Sequence, residues 1–439
     1  MTGIRVAVEG RLADLPAGSR RMLLERKSSG DPQIRVAVRG ILEDVRTKGD
    51  AALREMAVRF DGVTMESLEV PRDRWDDALS RLDGEVRGAL ERAARNIDAF
   101  HRAQIPADVE IEIEEGVRLG RRFVPLGSVG VYAPGGRASY PSSVLMGVVP
   151  ARAVGVGEVV VCSPPGPSGT PPDAVLAAAS IGGATRVFAL GGAGAVAAMA
   201  YGTPSVPRCD AVVGPGNRWV LEAKRQVAGD VVIDSPAGPS EVLIVDDGSA
   251  PTELVAAELL AQAEHDPDAA VVLVTTSPET LDGVRAALER QMNASPRSEI
   301  VKAALAARGA LLLADSRAEA LGFAERFASE HLALYTSQPS ADLTGVRTAG
   351  TVFLGAFSSV AYGDYMTGAN HVLPTAGTAR SFSGLSALSF MRSYTWQEVT
   401  KEGAGSLAED VARLAIAEGL PGHAEAAVLR TPANEDAVP

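Results

Sequence analysis

From residue 129 to residue 354 the chain alternates short β-branched runs with stretches rich in alanine and leucine. Few folds accept that pattern. Runs near 129–132 and at 159–162, 186–190, 211–213 and 231–234 have strand length, and helix-length segments separate them. Such alternation marks successive βαβ units, whose parallel strands lie in a sheet covered by helices on both faces. A second block repeats it, with strands at 270–275, 310–313, 332–335 and 351–354 and helices at 278–291 and 317–328. Two blocks of one make-up predict two stacked parallel sheets.

The flanks differ. Ile34, Val36, Val38, Ile41, Leu42 and Val45 recur at three- and four-residue steps, which predicts a helix; a second follows Gly49-Asp50, and a third spans 72–101. Residues 109–113 alternate strictly and 117–123 follow, the pattern of a hairpin. After about Ser386 the chain reads as mainly helical, and the tail from Thr431 as disordered. The expected architecture is α/β, with two stacked, incomplete Rossmann-like domains at 109–245 and 246–380. Helical segments at 1–108 and 381–439 enclose them, the last of them exchanged in a dimer if the family resemblance given below holds.

A net charge of −13 argues against an unaided nucleic-acid or anionic-membrane surface. The N-terminal residues lack the apolar core of a signal peptide. No uncharged apolar run reaches the roughly 18 residues a bilayer span needs, so a cytoplasmic protein is expected. Cys162 and Cys209 are too few for a disulfide framework and read as buried thiols.

Only five histidines occur, which makes their neighbourhoods informative. A helix opening near Ser249-Ala250-Pro251, with Ser249 as its cap, carries an apolar stripe of Leu254, Val255, Leu259 and Leu260. Gln262 and His265, three apart, share one face near its end, where an amide oxygen and an imidazole can reach one cation. Taken alone, that pair is better explained by a solvated helix tip. His331 directly follows Glu330, His371 lies seven residues after Asp364, and His423 five after Glu418. His101 ends a helix and carries no assigned role. Singly these neighbourhoods are common on surfaces; jointly they favour a mixed N/O divalent site such as zinc.

Glycine-rich turns after strands, at 133–137, 214–217 and 237–240, can cradle phosphates or merely shape turns. Gly192-Ala193-Gly194-Ala195-Val196-Ala197 matches a dinucleotide fingerprint formally, but no acidic residue ends the next strand; Asp210 precedes it instead. There is no Walker-type lysine, which leaves ATP chemistry without support.

In one register over roughly residues 30–430, the chain resembles the histidinol dehydrogenase family. The resemblance is carried by Arg59-Phe60-Asp61-Gly62, Val131-Tyr132-Ala133-Pro134-Gly135-Gly136 and Tyr140-Pro141-Ser142-Ser143-Val144-Leu145-Met146. Val213-Gly214-Pro215-Gly216-Asn217, Ala237-Gly238-Pro239-Ser240-Glu241, Gln262-Ala263-Glu264-His265, Glu330-His331-Leu332 and Asn370-His371-Val372-Leu373-Pro374-Thr375 continue it, with Glu418 to His423 at its end. It implies a homodimeric, zinc- and NAD-dependent enzyme that takes an alcohol through an aldehyde to a carboxylate. By that resemblance zinc falls to Gln262, His265, Asp364 and His423, and the catalytic pair is Glu330 and His331. Substrate contacts fall on Ser240, His331, His371 and Glu418 together with the zinc ligands, and NAD contacts on Tyr132 and Asn217. Glu418 and His423 would serve the partner's site. The family's usual NAD-contacting glutamine is Gly194 here, and the same change creates the formal fingerprint.

The residue types agree with that chemistry. A neutral imidazole, His331, suits removal of the alcohol proton, and Glu330 suits activation of water at the aldehyde. Zinc would position the substrate rather than carry out the redox step. Two rivals remain open at the level of sequence: a related dehydrogenase of another small alcohol, such as a sulfonated propanediol, and a zinc-binding dimer without activity.

Overall fold

A computed structural model describes residues 4–26, 31–135, 139–235 and 238–431. Gly136, Arg137, Ala237 and the tail from Pro432, all part of the sequence expectations, lie outside the described residues. Two compact units form, one from residues 1–104 and 126–390, the other from 105–125 and 391 onward.

The strands in chain order are β1 Val8–Arg11, β2 Val109–Glu114, β3 Val117–Pro125, β4 Ser128–Tyr132, β5 Glu158–Ser163, β6 Arg186–Ala189 and β7 Ala211–Val213. They continue with β8 Val232–Ile233, β9 Glu241–Asp246, β10 Ala270–Thr275, β11 Gly309–Leu313, β12 His331–Tyr335, β13 Thr351–Leu354 and β14 Met391–Val399. The first unit contains the two expected parallel sheets, ordered β6-β5-β4-β7-β8 and β1-β11-β10-β9-β12-β13. In the larger sheet Val242 and Ile244 join a core with Val255, Leu259 and Leu288, while Leu243 and Val245 pack with Phe323 and Phe327 on the opposite face. Burial on both faces explains why these strands read as unbroken apolar runs.

Apart from the edge strand β1, each sheet starts at a central strand, builds outward to one side, then crosses back to the other. The reversal falls between β4 and β7 in one sheet and between β9 and β12 in the other. At such a point the two connections diverge and leave a crevice at the carboxyl ends of the strands.

Several elements differ from the sequence expectation. No strand was expected at 241–246, where Glu241 and Asp246 bracket the apolar run like the charged ends of a surface turn. Both acids are buried, and the run is the central strand β9. β1 joins the larger sheet from a segment expected to be helical. The long helix at 72–101 is two helices, because the Asp83 carboxylate accepts from the backbone of Glu85 and Val86 and starts a second one. Ser249 does not cap its helix; that helix spans Thr252–Ala263 behind Pro251, and the Ser249 hydroxyl donates to Asp247 instead.

In the second unit the expected hairpin β2–β3 forms, and β14 adds to it antiparallel where helix was expected. Tyr394, Thr395 and Trp396 favour a pleated strand. Gly120 opposes Trp396, whose ring fills the space any side chain at 120 would need. Helices Lys401–Ala417 and Pro421–Val428 follow. Among the described residues no helix is long and apolar enough to cross a membrane.

Candidate active site

The five-stranded sheet presents its crevice between Tyr132, at the end of β4, and the turn after β7. Gly214 stands there with φ +115° directly against the Tyr132 carbonyl, a place and conformation open only to glycine. Its amide donates to Asp234 at 2.7 Å and its carbonyl accepts from the Lys224 ammonium at 2.9 Å, so a buried Lys224–Asp234 ion pair clamps the turn. The Asn217 side chain caps helix Arg218–Val227 by accepting from the backbone of Trp219 and Val220. The Tyr132 hydroxyl accepts from the amide of Gly192 at 3.2 Å, and burial pushes its pKa up to about 12, which keeps it neutral. Helices Gly192–Tyr201 and Arg218–Val227 both start at this edge, where their positive ends favour an anionic group. Gly194 lies in the first turn of helix Gly192–Tyr201, where a Cβ would come within 3.0 Å of the Met56 sulfur and 3.5 Å of Leu53.

The acid–base residues gather at the opposite, amino-terminal ends of the larger sheet. Glu330 and His331 enter β12 beside Glu241, which starts β9. The Glu241 amide donates to the Glu330 carboxylate at 2.7 Å, and the Glu241 carbonyl lies 2.9 Å from His331 Nδ1. A carbonyl only accepts, so Nδ1 carries the proton and Nε2 exposes its lone pair. That Nε2 is buried, has no hydrogen-bond partner, and lies 3.8 Å from the Asp364 carboxylate. Burial lowers the His331 pKa to about 3 and raises that of Glu330 well above the ordinary carboxylate range.

Asp364 sits in the short helix Val360–Tyr365, whose start is held by Glu258 from helix Thr252–Ala263. Glu258 accepts from the Val360 amide at 2.8 Å and from the Tyr335 hydroxyl at 3.0 Å. Burial, with a smaller contribution from the Glu258 charge, pushes the Asp364 carboxyl up to about 7. His371 Nδ1 donates to the Asp364 carbonyl at 2.9 Å, and its Nε2 lies 3.3 Å from Ser143 Oγ in the other parallel-sheet block. Burial holds its pKa down to about 4. His331, Asp364, Asn370 and His371 line one small cavity of about 10 Å³, room for about one water, with Phe353 and Leu373. His265 ends the Glu258 helix close enough to act electrostatically on His331 and His371, and buried Gln262 lies one turn before it.

The first unit thus gathers Gln262, His265, Glu330, His331, Asp364 and His371, with Ser240 just before β9. Glu418 and His423 belong to the second unit, at the end of helix Lys401–Ala417 and in helix Pro421–Val428. Among the described residues no group of three or more His, Cys, Asp or Glu is arranged to hold a metal. The first unit's candidate donors are an amide, an imidazole and a carboxylate, so only two of them are of those types. These donors fit a zinc-like cation, since a buried carboxylate held near pKa 7 is one that lacks countercharge.

Glu258 had a legible signal: 258, 262 and 265 put polar groups on one face of an apolar helix. Glu241 lay inside a recognised motif without a role. Arg26, described below, had no local signal.

Because folded His331 resists protonation, its contribution to stability is full above pH 6.5 and is lost as the pH falls toward about 3. Wild-type stability relative to His331→Asn should therefore fall by up to about 1.4 kcal/mol per pH unit below 6.5, as urea unfolding at pH 7 and pH 5 would measure. A pH-independent difference would contradict a buried neutral imidazole.

A profile of the histidinol dehydrogenase family matches residues 24–431. A histidinol dehydrogenase of Methanosarcina mazei is 47% identical over 416 residues, covering 94% of this chain and 96% of its own length. One from Natronomonas pharaonis is 49% identical over 415 residues, covering 94% and 97%. The crystal structure of histidinol dehydrogenase from Elizabethkingia anophelis superposes with a TM-score of 0.93 at 34% identity, over 98% of this chain and 99% of that one.

Proposed function

We propose that this chain, which belongs to the histidinol dehydrogenase family of oxidoreductases, converts L-histidinol to L-histidine in two successive NAD-linked oxidations assisted by zinc. The observation that carries the chemistry is the buried Glu330–His331 pair at the start of β12, both residues oriented by the backbone of Glu241. In the first oxidation His331 Nε2 accepts the alcohol proton as the adjacent carbon gives up its hydrogen with two electrons. The unprotonated imidazole is ready for that task at neutral pH. In the second, Glu330 accepts a proton from the water that adds to the aldehyde carbon. Burial raises its proton affinity above that of an ordinary carboxylate, which makes its ionised form a stronger base.

NAD, when bound, would take up the electron pair; the glycine turns after β4, β6 and β7 support its placement at that crevice, with Tyr132 and Asn217 beside it. Zinc, when bound, would supply a fixed positive charge that anchors a substrate nitrogen or oxygen. Gln262, His265 and Asp364 would hold it together with His423. We read the protein as a homodimer in which the second unit supplies Glu418 and His423 to the partner's site. Exposed apolar side chains in that unit, Leu414 at 68% and Ile416 at 60%, support such a role.

The test is the stoichiometry of NADH formed from L-histidinol by the zinc-loaded enzyme. Two NADH per histidinol consumed are expected. One per substrate removes the second oxidation, and no turnover removes the assignment.

A further inference from the structure

Arg26 is an arginine buried where a guanidinium needs partners, and it has a full set. Its Nε and Nη2 donate to the two carboxylate oxygens of Glu241 at 2.8 and 3.1 Å. Nη1 donates to the Leu23 carbonyl at 2.6 Å and Nη2 to the Phe327 carbonyl at 2.7 Å, while the guanidinium lies 3.4 Å over the Phe327 ring. Both charged side chains are 3% exposed. The Glu241 carboxylate also accepts from the Ala376 amide at 3.0 Å, just past the loop that carries His371.

The same residue, through its backbone, grips both catalytic candidates: its amide holds Glu330 and its carbonyl holds the His331 ring. A buried ion pair is weak evidence of net stabilisation, because desolvation offsets the attraction. A bidentate fork does fix geometry, since it locks the carboxylate in plane and in rotation. The chain places this fork on the one residue from which the acid–base pair hangs.

We propose that Arg26 and Glu241 are positioning residues that set the orientation of Glu330 and His331 for proton transfer. The inference rests on the catalytic roles given to that pair. Arg26 lines a cavity of about 290 Å³, partly open to solvent, beside Leu23, Ala270, Arg308 and Phe327. A small cation can therefore reach the place the guanidinium would leave.

The experiment compares wild type, Arg26→Lys and Arg26→Ala as zinc-loaded full-length enzymes, with kcat, KM for L-histidinol and zinc content measured for each. Arg26→Ala is expected to lose roughly 10- to 100-fold in kcat, the usual cost of releasing an orienting contact, with KM and zinc content unchanged. Arg26→Lys should recover part of that loss, and millimolar guanidinium should raise kcat of Arg26→Ala but not of wild type. Unchanged kcat in Arg26→Ala overturns the proposal. So does a loss that matches the unfolded fraction and does not respond to guanidinium. Should Arg26→Ala fail to fold, Glu241→Gln replaces it: the same fall in kcat at constant KM is expected, and wild-type kcat overturns the proposal. A wild type inert toward L-histidinol, or an active one indifferent to Glu330→Gln, would instead remove the underlying catalytic assignment.

Discussion

His331→Asn is expected to lower kcat for L-histidinol by roughly 10²–10⁴-fold, the span typical of losing a positioned general base, with zinc content unchanged. The substitution separates two functions of the imidazole. An asparagine amide can still donate to the Glu241 carbonyl, as Nδ1 does at 2.9 Å, so the local backbone keeps its partner. What disappears is the unpartnered lone pair of Nε2, buried 3.8 Å from Asp364. Among the described residues nothing hydrogen-bonds that nitrogen, which leaves its lone pair open to a substrate hydroxyl. Retention of wild-type kcat would exclude His331 as the base. Loss of zinc alongside kcat would make it a metal ligand instead.

An equimolar mixture of Glu330→Gln and His423→Ala subunits, reassembled at random, should recover about a quarter of wild-type activity although each variant alone is inactive. Random assembly makes half the dimers mixed, and each mixed dimer would hold one intact site of two when sites draw on both chains. The expectation follows from the proposed exchange: Glu330 belongs to the first unit and His423 to the second. If each chain completed its own site, every site in a mixed dimer would carry one defect. Recovery would then be absent. Activity in mixtures against subunit ratio distinguishes the two cases.

Much of the first unit was legible as sequence because burial on both sheet faces forces an apolar composition that surface strands do not need. Runs such as 159–162 and 270–275 could serve little else. Glu330 and His331 were singled out by the family resemblance; by themselves they read as a helix end meeting a strand. The missed strands β9 and β14 share one cause, a partner distant in sequence, whereas the split at Asp83 and the start of the 252–263 helix were local. At β9, acids that look like solvated strand ends are buried, because Arg26 pairs with Glu241 from 215 residues away and Thr275 donates to Asp246. At 391–399 the neighbouring strand β3 decided for strand.

The chain's own composition therefore determined its class: alternating elements, two parallel sheets, and a few histidines beside carboxylates at element ends. Those features depend on local pattern, which neighbours in sequence carry. Tertiary structure alone decided which backbone groups hold the reactive pair and that Met56 stands against Gly194. It also brought Arg26 beneath Glu241. Each of these depends on contacts between distant segments, and burial decides their energies: only in the folded interior does an imidazole stay neutral or a carboxyl hold its proton toward pH 7.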